Sequence, residues 1–170
     1  MLILSPKFKE FILTETKRDY LEGTTAAGKT TVGIFKFMLM VAKSDIKYHV
    51  IAGADLGTVE KNVINNERGL LDQFDGLAEY YPKGQGKIGL SHIKYQTPNG
   101  EKIIYVCGYD NKARWKKVLG SQQGCVYIDE VNTADMEFLR EISHRCKYMM
   151  TTSNPDSPDL PVYKEFINHS

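Results

Sequence analysis

Apolar residues recur along this chain at two spacings. Residues 29–43 carry Val32, Ile34, Phe35, Phe37, Met38, Leu39, Met40, Val41 and Ala42. That run is apolar on almost every side, which predicts a buried helix and not a surface one. Met38 and Met40 read as core filling, and Lys36 breaks a run already too short to span a membrane. Short runs of strand length lie around it. Residues 19–22 read as an extended segment, and residues 47–54 as a buried strand centred on Val50-Ile51-Ala52. Residues 125–128 and 147–152 also read as strands, the first with four apolar-bodied residues in a row. Residues 91–97 alternate Ile93 and Tyr95 against His92, Lys94 and Gln96, so His92 is expected to face solvent. Pro98-Asn99-Gly100 is a turn signal and residues 102–107 return from it, which predicts a β-hairpin.

Helices of the amphipathic kind fill the intervals. Residues 5–17 place Phe8, Phe11 and Ile12 on one face, with Ser5 as cap and Pro6 at the first helical position. That face either packs on the core or offers a ring to a nucleotide base. Asp55 caps a helix expected to reach about Arg68, with Val59, Val63 and Ile64 inward. Thr133 is the expected cap of a helix running to His144, with Met136, Leu139 and Ile142 inward. Residues 69–86 read as a looser connection, and residues 155–170 as a Pro-rich loop with a last short helix. Strands alternating with helices predict an α/β fold built on a mostly parallel sheet with helices on both faces.

Composition changes this picture little. With 170 residues, 42% hydrophobic and 25% charged, the chain suits one domain, residues 1–170. A net charge of +1 means that any nucleic-acid contact has to be a local patch. The most basic stretch is residues 109–120, where Lys112, Arg114, Lys116 and Lys117 surround Trp115. It reads either as a solvated loop anchored by Trp115 or as a segment facing phosphate or DNA. Cys107, Cys125 and Cys146 are odd in number and widely spaced, which predicts reduced thiols in a cytosolic compartment. His144 and Cys146 lack a second ligand pair, so no zinc site is expected. No signal peptide or membrane span is visible.

Three motifs carry the chemistry. Gly23-Thr24-Thr25-Ala26-Ala27-Gly28-Lys29-Thr30 fits G-x-x-x-x-G-K-[ST], between an extended segment and a helix. In that context backbone N–H groups converge on a phosphate at the helix N-terminus. Gly23 and Gly28 permit the close approach, Lys29 reaches the β/γ-phosphates, Thr30 holds Mg²⁺, and Thr31 completes the cradle. Asp129 and Glu130 follow an apolar strand directly. Acids at the carboxyl end of a parallel strand sit where ligands bind in open α/β sheets. Asp129 is read as the metal acid and Glu130 as the general base for water. Thr151-Thr152-Ser153-Asn154 ends the next strand, and Asn154 is read as a γ-phosphate sensor or as a simple Asn-Pro turn.

Taken together, LEGTTAAGKTTVG, VYIDEVN and MTTSNP followed by LPVYKEF resemble the N-terminal ATPase domain of the large terminase subunit of tailed bacteriophages. The resemblance covers nearly the whole chain. It implies a P-loop NTPase fold of the ASCE/RecA-like type, ATP and Mg²⁺ as cofactors, and a motor that drives double-stranded DNA into procapsids. It implies Lys29, Glu130 and Asn154 as catalytic residues, with Thr152 to Asn154 as the coupling motif. The implied partners are the portal protein, the small terminase subunit and further copies in a ring, in the cytoplasm of the host bacterium, with no membrane. Two departures stand out. No arginine lies inside the Gly23–Thr30 loop, so an arginine finger has to come from elsewhere; Arg114, acting on a neighbouring subunit, is the first candidate, with Arg68 and Arg18 behind it. Only 16 residues follow Asn154 (170 − 154), too few for the family's nuclease domain, so this chain is expected to be a fragment without nuclease activity. The alternatives are a helicase-like or other ASCE ATPase, or a nucleotide-binding module inactive by itself. A small-molecule kinase is disfavoured by the acid pair.

Overall fold

The computed structural model describes residues 6–22, 28–120 and 122–153. The element order is α1 (Pro6–Leu13), β1 (Arg18–Glu22), α2 (Lys29–Lys43), β2 (Tyr48–Gly53), α3 (Leu56–Val59), α4 (Leu70–Gln73), β3 (Ala78–Tyr81), β4 (His92–Thr97), β5 (Gly100–Gly108), α5 (Lys112–Val118), β6 (Gln123–Ile128), α6 (Met136–Arg145) and β7 (Cys146–Ser153). One seven-stranded sheet runs β1-β7-β6-β2-β5-β4-β3. The strands β1, β7, β6, β2 and β5 are mutually parallel, and β4 and β3 extend the sheet as an antiparallel meander. This is the mostly parallel α/β architecture that the sequence predicts, hairpin included.

Handedness explains the layering. The chain moves from β1 out to β2 across two strand positions, then returns from β5 to β6 and on to β7. Right-handed crossovers in opposite directions have to cover opposite faces. Accordingly Ile34, Phe37, Met38 and Val41 of α2 pack with Ile51, Ile104, Tyr127 and Met150 on one face. Trp115, Val118, Phe138, Leu139 and Ile142 of α5 and α6 pack with Val50, Ala52, Val126 and Ile128 on the other. The sheet is thus buried on both sides, and α2 has no exposed residue between Thr31 and Ala42.

Several local expectations are corrected. His92 is fully buried rather than outward. Its ring stacks on Tyr81 and Nδ1 lies 2.8 Å from the Leu90 carbonyl, so both faces of β4 are covered. The helix capped by Asp55 does not reach Arg68. Its α-helical part loosens into a π turn, Glu60–Ile64, and Arg68 reverses the chain at φ 59°. The connection 69–86 holds α4 and the edge strand β3. The basic stretch is a helix and not a loop. The Asn111 side chain accepts from the Arg114 N–H at 3.1 Å, and Trp115 is buried edge-on against Phe138. Two of its cations, Lys112 and Lys116, approach Glu137 of α6 at 2.8 and 3.8 Å. Finally, α6 is capped by Asp135, whose carboxylate accepts from the Phe138 N–H, while Thr133 belongs to the preceding 3₁₀ turn, Val131–Thr133. Among the described residues no helix is long and apolar enough to cross a membrane.

Candidate active site

The five parallel strands end at one edge, and that edge gathers the motifs. Register pairs Glu22 at the end of β1 with Ser153 at the end of β7, and Ile128 at the end of β6 with Thr151. The end of β1, the polar tip of β7 and the end of β6 that precedes the acid pair therefore stand in line. Strand spacing puts β1 and β6 about 10 Å apart with β7 between them. The chain leaves β1 toward one face and β6 toward the other, the condition for a crevice at the carboxyl edge.

Gly28 stands at the head of α2 with φ 112°, a left-handed conformation that favours glycine. Its carbonyl accepts from the Val32 N–H at 2.7 Å and starts the helix. The motif residues Gly23, Thr24, Thr25, Ala26 and Ala27, the Lys29 side chain and Asn154 lie outside the described residues, as does the expected last helix. What anchors the loop on either side is described. Lys36, in the middle of α2, is only 1% exposed, and its Nζ lies 2.7 Å from Asp19 Oδ2 on β1. The Tyr148 hydroxyl of β7 donates to the same carboxylate oxygen at 2.7 Å, and the Phe11 ring of α1 lies 4.3 Å from the ammonium. Burial, followed by that bond to Asp19, pushes the Tyr148 phenol well above its ordinary range. Gly33 lets α2 lie close on the sheet: a Cβ there would sit 3.2 Å from Leu21 Cδ1 and 3.5 Å from the Tyr127 ring.

The acid pair splits into a buried and an accessible member. Asp129 is 6% exposed. Its N–H donates to the Ala52 carbonyl at 2.9 Å, and its Oδ1 accepts from the Thr152 hydroxyl at 2.9 Å. Glu130 is half-buried and sits at φ 52°. Left-handed backbone is uncommon for a residue with a Cβ and persists where its surroundings over-determine it. Here the Glu130 carbonyl accepts from Tyr109 Oη at 3.1 Å, Thr133 Oγ1 at 2.9 Å and the Thr133 N–H at 3.0 Å. Burial, chiefly, pushes the Tyr109 phenol up to about 12, so it stays a donor. Three donors thus converge on the carbonyl of the backbone from which the Glu130 side chain leaves, and the Tyr109 and Thr133 hydroxyls among them share a hydrogen bond with each other. The sequence signals this clamp only weakly, through Thr133 three positions on; Tyr109 comes from the turn that follows β5.

The arginines fall in different places. Arg18 opens β1, at the end of the strand opposite the loop. Arg114 is half-buried on α5, on the face opposite α2, and its charge is felt by Cys107 of β5 and Tyr80 of β3. Four strand spacings, about 19 Å, separate β5 from β1. Arg68 comes closer to the loop. Gln73 Nε2 donates to the Arg68 carbonyl at 2.7 Å and to the Thr31 carbonyl at 3.2 Å, which sets the Arg68 backbone beside the first turn of α2. Arg68 and Glu130 are the non-glycine residues at positive φ among those described.

No protein-family model and no curated protein matches the sequence. Solved structures do match. One crystal form of the large terminase from a thermophilic bacteriophage aligns with a TM-score of 0.83 at 16% identity, over 98% of this chain and 43% of that one. The same terminase in complex with ADP aligns at TM-score 0.75 and 18% identity, over 97% of this chain and 42% of that one. In complex with ATP-gamma-S it aligns at 0.70 and 17% identity, over 88% and 35%. The chain thus spans about two fifths of the length of the terminase it matches in the first two of these alignments. It has a P-loop α/β fold, the one that this thermophilic phage's large terminase carries over the matched part of its length.

Proposed function

We propose that this chain is the ATP-hydrolysing motor module of a phage terminase large subunit. The observation that carries the reading is the line-up at one sheet edge: the Gly23–Thr30 motif after β1, Thr152 on β7 bonded to Asp129, and Glu130 beside it on a clamped backbone. ATP sits on residues 23–31, with the α2 N-terminus and Lys29 facing its phosphates. The oxygen donors fit Mg²⁺: a buried carboxylate, Asp129, already oriented by a hydroxyl, together with the Thr30 hydroxyl, is the hard, incomplete donor set that this ion takes alongside phosphate and water. When bound, Mg²⁺ neutralises charge on the β- and γ-phosphates. Glu130 accepts the proton of the attacking water, and its fixed backbone shortens the search for that geometry. Asn154 reads the presence of the γ-phosphate, and β7 carries that state toward the DNA. Double-stranded DNA, the portal, the small terminase subunit and neighbouring copies in a ring are the partners, in the host cytoplasm.

Steady-state ATP hydrolysis as a function of protein concentration tests this. Magnesium-dependent turnover is expected, with Glu130→Gln retaining ATP binding and losing about two to four orders of magnitude in rate. Equal turnover in that variant would remove Glu130 as base. Lys29→Ala is expected to weaken ATP binding itself, and unchanged affinity would count against the loop.

A further inference from the structure

Tyr127 is not used by the chemistry above, yet it sits at its centre. It lies on β6 two residues before Asp129, on the same face of the strand. Its ring is fully buried, edge-on to Phe37 of α2 at 5.7 Å, and lies close under Gly33 of the same helix. Its hydroxyl lies beside those of Thr30 and Thr152 and near the Asp129 carboxylate. None of them makes a well-directed hydrogen bond to it, so a buried polar atom remains unmatched. A phenylalanine would fill the same space without that desolvation cost. Thr152 is itself committed: its proton goes to Asp129 Oδ1 at 2.9 Å, which leaves its oxygen free to accept.

We propose that Tyr127 is a positioning residue for the metal, closing a chain of hydroxyls from Thr30 through Tyr127 and Thr152 to Asp129 in the loaded site. Thr30 donates to Tyr127 Oη, Tyr127 donates to Thr152 Oγ1, and Thr152 donates to Asp129 Oδ1. The Thr30 proton is thereby turned away from the metal position and its lone pairs toward it. The two protein oxygens expected to hold the ion are oriented by one chain. This rests on the reading of Thr30 and Asp129 as metal-holding residues.

The test is Tyr127→Phe, followed by the stabilisation of the protein by ADP or ATP as Mg²⁺ is titrated. The expected result is a melting temperature without nucleotide that is equal to wild type or higher, unchanged ATP affinity without metal, and a Mg²⁺ requirement raised about 10-fold or more. Thr152→Val is expected to raise it as well. The double variant is expected to add little, because both break one chain. A Tyr127→Phe protein with the wild-type Mg²⁺ requirement overturns the proposal and leaves the ATPase reading standing. A Tyr127→Phe protein that does not fold makes the hydroxyl structural and overturns it too. If the wild-type chain shows no Mg²⁺-dependent stabilisation by nucleotide, the ATPase reading itself falls, and this inference with it.

Discussion

In the proposed site Glu130 has to meet two demands that pull against each other: a carboxylate reaching an attacking water, and a backbone in a conformation that its Cβ opposes. The left-handed region costs a non-glycine residue roughly 1–2 kcal/mol. The bonds from Tyr109 and Thr133 to its carbonyl offset that cost locally. Two substitutions separate backbone from carboxylate. Glu130→Gln keeps the strain, and its melting temperature is expected to stay close to wild type. Glu130→Gly relieves it and is expected to melt higher, by up to about 2–4 °C, while being equally inactive. A lower melting temperature for the glycine variant would mean that the Glu130 side chain holds the turn and is not strained by it. The acid pair was legible in the sequence because two acids after an apolar run are visible as letters. The strain was not, because it depends on Tyr109, 21 positions away in sequence.

Among elements, the pairing of β1 with α2 is held by an ion pair that the hydrophobic pattern presented only as an interruption. Lys36 is buried against Asp19, which also serves Tyr148. Removing one partner of such a pair leaves the other charge uncompensated, at about 3–5 kcal/mol, whereas replacing both can be near neutral. Lys36→Met is therefore expected to destabilise by that order in urea titration, and Lys36→Met with Asp19→Asn to recover most of it. A second device joins β2 to β6. His49 Nδ1 accepts from the Cys125 N–H at 2.8 Å while Nε2 donates to the Ile46 carbonyl, so the fold uses the neutral ring. Burial lowers its pKa from 6.5 to about 4, with the Lys102 ammonium adding to the fall. The stability it contributes is thus fully present above about pH 6.5 and is lost as pH falls through about 4, on the order of 3 kcal/mol. Urea midpoints between pH 7.5 and 4.5 are expected to show this decline, and a His49→Gln variant to show less of it. Helix α2 and the central strands were legible because they are apolar throughout. The strand β3, the π turn and the burial of His92 were not. The residues of β3, Ala78-Glu79-Tyr80-Tyr81, have little apolar pattern of their own; they are fixed by pairing with β4 and by the Tyr80 hydroxyl on Glu60. Alternation failed at His92 because it assumes one wet face, and this sheet covers both.

At the scale of the whole molecule, the sheet itself decides which charges can serve the site. Arg114 stands about four strand spacings from β1 and on the far face, beyond the roughly 7 Å that an arginine side chain extends. If it completes a site, that site belongs to a neighbouring copy. Arg68, tied by Gln73 to the first turn of α2, is placed to act within its own chain. The two roles separate in a mixing experiment. Arg114→Ala and Glu130→Gln are each expected to be nearly inactive, by about 10³-fold or more for a finger that operates fully. Mixed, they form junctions in which an intact Glu130 on one copy meets an intact Arg114 on the next. Activity should then reappear in the mixture, rising more steeply than the first power of protein concentration because two chains are needed. A parallel mixture of Arg68→Ala with Glu130→Gln is expected to stay inactive, since each Arg68→Ala chain lacks its own arginine and each Glu130→Gln chain its own base. Rescue in the Arg68 mixture and none in the Arg114 mixture would reverse the two assignments. No rescue in either, with both variants folded and binding nucleotide, would place the completing positive charge on neither Arg114 nor Arg68.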